Sequence, residues 1–320
     1  MTGPVPPPEG SEPPVPEPPD SLLRFAWLSV AAAIVTIGLK TVAWLLTDSV
    51  GLLSDAAESL VNLVAAVVTL IALRVAARPA DAGHHFGHGK AEYFSAAVEG
   101  LMIFVAAGVI LVMAVGRFLD PVPLENVGVG LVVCVLASVV NGVVGLLLIR
   151  TGRARGSAAL LADGKHLMTD VWTSVGVVVG VLLVAVTGLD RLDPVIAAAV
   201  GVNIMVTGAG LVHRSLNALL DSALPPEDTR TVLTVLEGFR GPHVDFHALQ
   251  TRESGQYRFV SVHLLVPGDW HVQRSHDLAE EVEAAIRLAL PRTTVQTHIE
   301  PREDTRSYSD HPYDARDDIP

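Results

Sequence analysis

Half of the 320 residues are apolar, only 18% are charged and the mean hydropathy is +0.45, values that exclude an ordinary soluble chain. The formal net charge of -12 arises mostly at the two ends and within residues 226–300, so no basic excess is left for nucleic acid. The single cysteine, Cys134, lies inside an apolar run, which rules out an intramolecular disulfide.

Residues 1–20 hold nine of the 21 prolines, four acids and no base. That composition cannot bury enough apolar surface to fold and predicts a disordered acidic tail. It does not match a secretory signal, because the apolar stretch begins only after Leu22 with no basic region before it. Six apolar segments follow, at about 25–46, 50–73, 93–116, 127–149, 158–186 and 194–213, each long enough to cross a bilayer as a helix. They define an α-helical membrane domain over 21–215. Six crossings put both termini on one side. Arg24, Arg74, Arg78, Lys90, Arg150, Arg153, Arg155 and Arg214 fall on that side, against Arg117 and Arg191 opposite, so the termini are expected in the cytoplasm.

A linker is expected over 216–225. From Pro226 the periodicity predicts a helix to Phe239, strands over 243–251 and 256–266 with Ser254-Gly255 between them, a helix over 271–290 and a strand over 293–299. The order αββαβ describes a small α+β domain over 226–301. Residues 302–320, with six acids and three bases, read as a second disordered acidic tail.

The chemistry lies in polar residues where lipid should forbid them. Asp55, Glu58 and Asn62 are spaced three and then four along the second segment, on one helical face. Asp163, His166 and Asp170 repeat those spacings in the fifth. A carboxylate at mid-membrane costs about 2.5–3.5 kcal/mol on insertion scales, so two such stripes call for compensation, and a divalent cation between them supplies it. Glu58, Asn62, His166 and Asp170 offer three oxygens and an imidazole nitrogen, a set compatible with Zn(II), Fe(II) or Mn(II). The alternative is an interhelical hydrogen-bond cluster with Asn62 and His166 as glue. Asp55 and Asp163 suit structural or entry roles, and Glu99, Asn141 and Asn203, with no partner at helical spacing, are expected as packing contacts.

The loop after the second segment carries Asp81, His84 and His88 among glycines, a carboxylate and two imidazoles within eight residues. They could hold a second ion or simply be solvated. Six histidines fall within 226–300. His263 and His247 lie on predicted strands, His276 on the second helix, and His298 and Glu300 two apart on the last strand, so a carboxylate and neutral imidazoles could bind zinc. His243, His271 and His311 read as surface residues.

Several of these runs resemble the cation diffusion facilitator family, in particular its bacterial zinc/proton antiporters, from about Leu22 to Pro301. They are Ser49-Val50-Gly51-Leu52-Leu53 with Glu58 through Asn62, Ala162-Asp163 with His166 and Asp170, Pro79-Ala80-Asp81 with Phe86-Gly87-His88-Gly89-Lys90-Ala91-Glu92, Thr251-Arg252-x-Ser254-Gly255, and His298-x-Glu300-Pro301. The resemblance implies a homodimer working by alternating access, with the intramembrane set as transport site and Asp81, His84 and His88 as an interfacial ion site. It implies a binuclear site from His247, His263, His276, His298 and Glu300, and Lys90 with Asp221 as a pair interlocking the protomers. Relatives commonly place Asp or His at Glu58 and Asp at Asn62, which leaves this chain one charge poorer, and Glu300 stands where Asp is usual.

The expected function is therefore secondary active efflux of a divalent cation, Zn(II) before Fe(II) or Mn(II), with Co(II) and Cd(II) also compatible, in exchange for protons across the cell (inner or plasma) membrane. Protons compete with the metal for imidazole and carboxylate lone pairs. The chain is not expected to be an enzyme. A membrane-embedded metalloenzyme would need a histidine pair on one helix to hold a metal-bound water, and Glu58 has none. A non-transporting metal sensor would not need ligands split between two helices.

Overall fold

The computed structural model describes residues 20–47, 50–120, 127–189, 191–309 and 314. It begins with six long helices, α1 (Asp20–Thr47), α2 (Val50–Ala76), α3 (Ala91–Leu119), α4 (Val127–Arg155), α5 (Ala158–Thr187) and α6 (Leu192–Leu219). At 1.5 Å per residue, helices of 27 to 30 residues reach about 40–45 Å, a bilayer with its headgroups. Among the described residues, Leu22–Val42, Ala91–Leu119, Val135–Arg155 and Pro194–Leu219 are long and apolar enough to cross, and α2 contributes the shorter apolar stretch Asn62–Ala76. Apolar side chains such as Val112, Val206 and Leu101 point outward, as a lipid-facing surface requires.

Small residues set the closest crossings, because packing rather than hydrophobicity drives association in lipid. A Cβ on Gly100 of α3 would come within 2.8 Å of Leu211 on α6, and one on Gly208 within 2.8 Å of the Phe104 amide nitrogen. On α5, a Cβ on Gly164 would meet Ile149 at 2.8 Å and the Gly145 carbonyl of α4 at 2.9 Å. The second crossing fixes the turn of α5 that carries Asp163 and His166.

Helix α6 continues to Leu219, so the first four residues expected in the linker are helical. It stops at Asp221, whose φ of 61° is left-handed. The carboxy-terminal domain follows as α7 (Pro226–Phe239), β1 (Asp245–Ser254), β2 (Tyr257–Val266), α8 (Val272–Ala289) and β3 (Thr293–Pro301). Proline at the first helical position, with Glu227 and Asp228 in the first turn, starts α7. The sheet order is β1-β2-β3, with β1 antiparallel and β3 parallel to β2. Val260, Val262 and Leu264 alternate along β2 and enter a core with Val232 and Leu236 of α7 and Ala279, Val282 and Ile286 of α8. The opposite face of the sheet carries the intervening residues, His263 among them.

One expectation fails at the carboxy terminus. Residues 302–309, expected to begin a disordered tail, instead fold against the domain. Asp304 caps a one-turn 3-10 helix, Thr305–Tyr308, by accepting from the Arg306 amide at 3.0 Å, and the Ser307 and Tyr308 hydroxyls donate to the Pro301 and Arg302 carbonyls. Local side-chain bonds to backbone hold the turn where composition alone indicates disorder. Asp314 also docks, accepting from the amide of Ala248 at 2.8 Å. Ala248 sits at a register shift in β1 with φ 51°, a bulge whose free amide the acid satisfies. The amino-terminal tail, residues 1–19, lies outside the described residues.

Candidate metal centres

Inside the bundle the second and fifth helices bring three of the expected residues together. The Asn62 carboxamide of α2 lies between two groups of α5: its Nδ2 donates to Asp170 Oδ2, and its Oδ1 is 2.8 Å from His166 Nε2. Asn62 and His166 are buried, at 4% and 5% exposure. His166 Nδ1 finds no hydrogen-bond partner among the described residues. The Glu58 and Asp55 side chains lie outside the described residues, so the fourth expected ligand is not placed.

A residue from a third helix completes this cluster, and sequence spacing did not single it out. Asn141 of α4, expected as a packing contact, donates to Asp170 Oδ2 at 3.1 Å. Its only signal in the sequence is to be an amide in an otherwise apolar run. Glu99 is likewise more than a packing contact, being buried against Thr69 and Ser95 hydroxyls. Asn203 is exposed on α6.

The loop before α3 folds on Asp81. Its Oδ1 accepts from the amides of Gly83 and His84, both at 2.8 Å, a turn closed by the side chain itself. These amides, Gly83 first, hold the carboxyl below its ordinary value, helped by His84 and His88. His84 Nδ1 and His88 Nε2 each lie 3.4 Å from an Asp81 oxygen, and the three ligand atoms fall within 4.8 Å of one another. His88 Nδ1 is buried without a partner among the described residues. A tridentate set with an open position suits a metal ion.

In the carboxy-terminal domain, strand register does the assembling. His247 of β1 pairs with His263 of β2, which pairs with His298 of β3, so three imidazoles form a row on the sheet face turned away from α7 and α8. Glu300, two residues beyond His298, reaches back: its Oε2 lies 2.9 Å from His247 Nε2 and 3.0 Å from His263 Nδ1. Burial pushes its carboxyl up, but bonds from His247 and His263 outweigh that and leave it below the ordinary value. His298 is exposed, with Nε2 at 3.6 Å from Glu300 Oε1. His276 does not join this group. It projects from the solvent face of α8, whose buried face packs on the other side of the sheet.

Lys90 and Asp221 form a 3.0 Å ion pair within the one chain, and Arg252 of β1 donates to the same Asp221 oxygen at 3.0 Å. Partial burial raises the Asp221 carboxyl, but Lys90 and Arg252 outweigh it and leave it below its ordinary value. The Arg252 guanidinium also stacks on Phe86 of the histidine loop at 4.8 Å and on Phe259 of β2 at 4.2 Å. This contact seats the Asp81 loop against the sheet. At the same junction Gly255, with φ 61°, approaches Gly89 so closely that a Cβ would lie 2.9 Å from its carbonyl oxygen.

Comparison with known proteins agrees along nearly the whole chain. The cation efflux transmembrane domain model matches residues 26–220, and that of the cation efflux protein cytoplasmic domain matches 224–302. The chain is 49% identical over 288 residues to the uncharacterized transporter sll1263 of Synechocystis sp., covering 90% of this chain and 93% of that one. It is 33% identical over 285 residues to the cation-efflux pump FieF of Serratia proteamaculans, covering 88% and 93%. A solved structure of CzrB shares 38% identity over 24% of this chain and 96% of its own, with a TM-score of 0.23.

Proposed function

This chain belongs to the cation efflux family and is a membrane-embedded cation transporter, and we propose that it exports Zn(II) from the cytoplasm in exchange for protons, as a homodimer with both termini inside. The observation that carries the reading is the convergence of Asn62, His166 and Asp170, from two helices, in the interior of the bundle. Imidazole with oxygen donors suits zinc, and equally admits Fe(II) or Mn(II).

The hydrogen bonds indicate how the exchange proceeds. In the metal-free arrangement His166 Nε2 donates to the Asn62 carbonyl, and the Asn62 amide donates to Asp170, so one relay links all three groups and leaves His166 Nδ1 outside it. A cation arriving between them takes the Asp170 lone pairs, and a His166 ring protonated on both nitrogens must lose its Nε2 proton before that nitrogen can ligate. The Asn141 amide at 3.1 Å keeps Asp170 oriented as Asn62 turns away. Proton arrival from outside reverses the sequence and restores the relay. The Asp81, His84 and His88 set and the His247, His263 and Glu300 set would hold further zinc ions on the cytoplasmic side, the first seated on the sheet through Phe86 and Arg252. Lys90 and Asp221 would lock the membrane domain to its carboxy-terminal domain near the dimer contact.

Zinc flux into proteoliposomes under an imposed pH gradient tests the proposal. Asp170→Ala should lose flux by about 100-fold or more. Flux equal to the parent's would place the transported ion elsewhere.

A further inference from the structure

Glu99 of α3 and Asp163 of α5 are carboxyls sunk in the bundle that the metal cluster does not use, at 0% and 1% exposure. The Thr69 hydroxyl of α2 donates to Glu99 Oε1, and Ser95 Oγ lies 3.4 Å from the same oxygen. Asp163 is near enough for its charge to act on Glu99, and the Ser29 hydroxyl of α1 lies by Asp163. Yet Glu99 Oε2, Asp163 Oδ2 and the Ser29 hydroxyl, all buried, complete no hydrogen bond among the described residues. Neither carboxyl forms an ion pair with any described base. On α6, the residues packed on this stretch of α3 are Gly208 and Leu211, which carry no charge.

Two ionised carboxyls cannot share a dry site with nothing positive beside them; such groups neutralise or gain a cation. A metal ion would need four or more donors, and among the described residues no third carboxylate, histidine or cysteine joins these two in a metal-ligating group. A proton needs no such shell. We propose that Glu99 and Asp163 form a proton-carrying site separate from the metal ligands, holding at least one proton on the oxygens that Thr69 and Ser95 leave free.

Its place in the fold gives that proton a task. Asp163 lies one turn before His166, toward the end of α5 where Gly156 abuts Gln256 of the cytoplasmic domain. The pair therefore stands between the cytoplasm and the metal cluster, and His166 Nδ1 is the next unpartnered polar atom along the helix. Through this placement the site takes up the proton that a doubly protonated His166 ring loses on metal binding and passes it to the cytoplasm. The task rests on the exchange reading above; the presence of the proton does not.

Infrared difference spectroscopy of the full chain in lipid decides the matter. The parent minus the Glu99→Gln, Asp163→Asn double variant should show the carbonyl band of a protonated carboxyl, reduced in each single variant and abolished in the double. A difference spectrum without that band overturns the proposal, whatever the transport result. In proteoliposomes the double variant should still bind zinc with parental affinity but release several-fold fewer protons per zinc moved. Undiminished proton release refutes the task, whereas a parent that releases none refutes the exchange reading and leaves the spectrum to judge the pair.

Discussion

The intramembrane cluster and the cytoplasmic histidine row use the same ligand chemistry under opposite solvent conditions. On the sheet, adjacent strands in register deliver His247, His263 and His298 side by side, and Glu300 follows at the period of two. The row is partly wet, so an unmet lone pair there costs little. In the bundle the four groups come from three helices, Asn62 from α2, Asn141 from α4, and His166 with Asp170 from α5, and hydrogen bonds join them. Where water is absent, polar groups satisfy one another until an ion displaces them. In the transport reading proposed above, a position that can be emptied needs an internal substitute for its guest, and Asn62 has that part.

Four variants would break or sharpen that contrast. The largest effect is expected from Asp170→Ala, which should stop flux while leaving zinc bound by the cytoplasmic domain. Next, His263→Ala should weaken zinc binding at the cytoplasmic row by roughly 10–100-fold, measured by calorimetry on the whole protein, with residual flux well above that of Asp170→Ala. If the two losses are equal, the row belongs to the transport path and the contrast falls. Gly164→Val tests the frame of the intramembrane cluster. Its Cβ has backbone of α4 at 2.9 Å and cannot be accommodated by a side-chain shift alone, so a loss of about 1–3 kcal/mol in thermal unfolding is expected. A variant as stable as the parent would show that this crossing is not close-packed.

The smallest effect belongs to the carboxy-terminal turn. The Arg306 side chain, then its backbone amide, hold the Asp304 carboxyl down to about 2 from an ordinary 3.8. A lowered value stabilises the folded turn above pH 3.8, and that contribution is lost as the pH falls through about 2. Amide exchange at Ser307 should accordingly stay slow at neutral pH and quicken only in strong acid. Asp304→Asn should remove that acid dependence, and an unchanged profile would assign the protection to Ser307 and Tyr308 instead.

Much of the site was legible as helical periodicity. Spacings of three and four put His166 and Asp170 on one face of α5, and period two put His298 and Glu300 on one face of β3, because each residue's direction follows from its own element. Asn141, Arg252 and the Glu99 and Asp163 pair could not be found that way, since no spacing links a residue to another helix. The place of His276 is likewise not written in its spacing: a helix adjoining a strand in sequence can cover either face of the sheet, and within the one chain α8 packs on the face without the histidine row. Residues 302–309 were misread because a short turn held by Asp304, Ser307 and Tyr308 looks, in composition, like any acidic tail.

By itself, the sequence determined that the chain enters a membrane through long apolar helices, that it ends in an αββαβ domain, and which residue types stand in greasy surroundings. Those properties are local, written in hydropathy and in the 3.6 and 2.0 residue periods. Only the tertiary structure decided which helices face one another, and hence that an amide bridges His166 to Asp170 while the Glu99 and Asp163 carboxyls are both buried without an ion pair to any described base. Glycines at the crossings made that choice, because helices in lipid are held by how closely their backbones can approach.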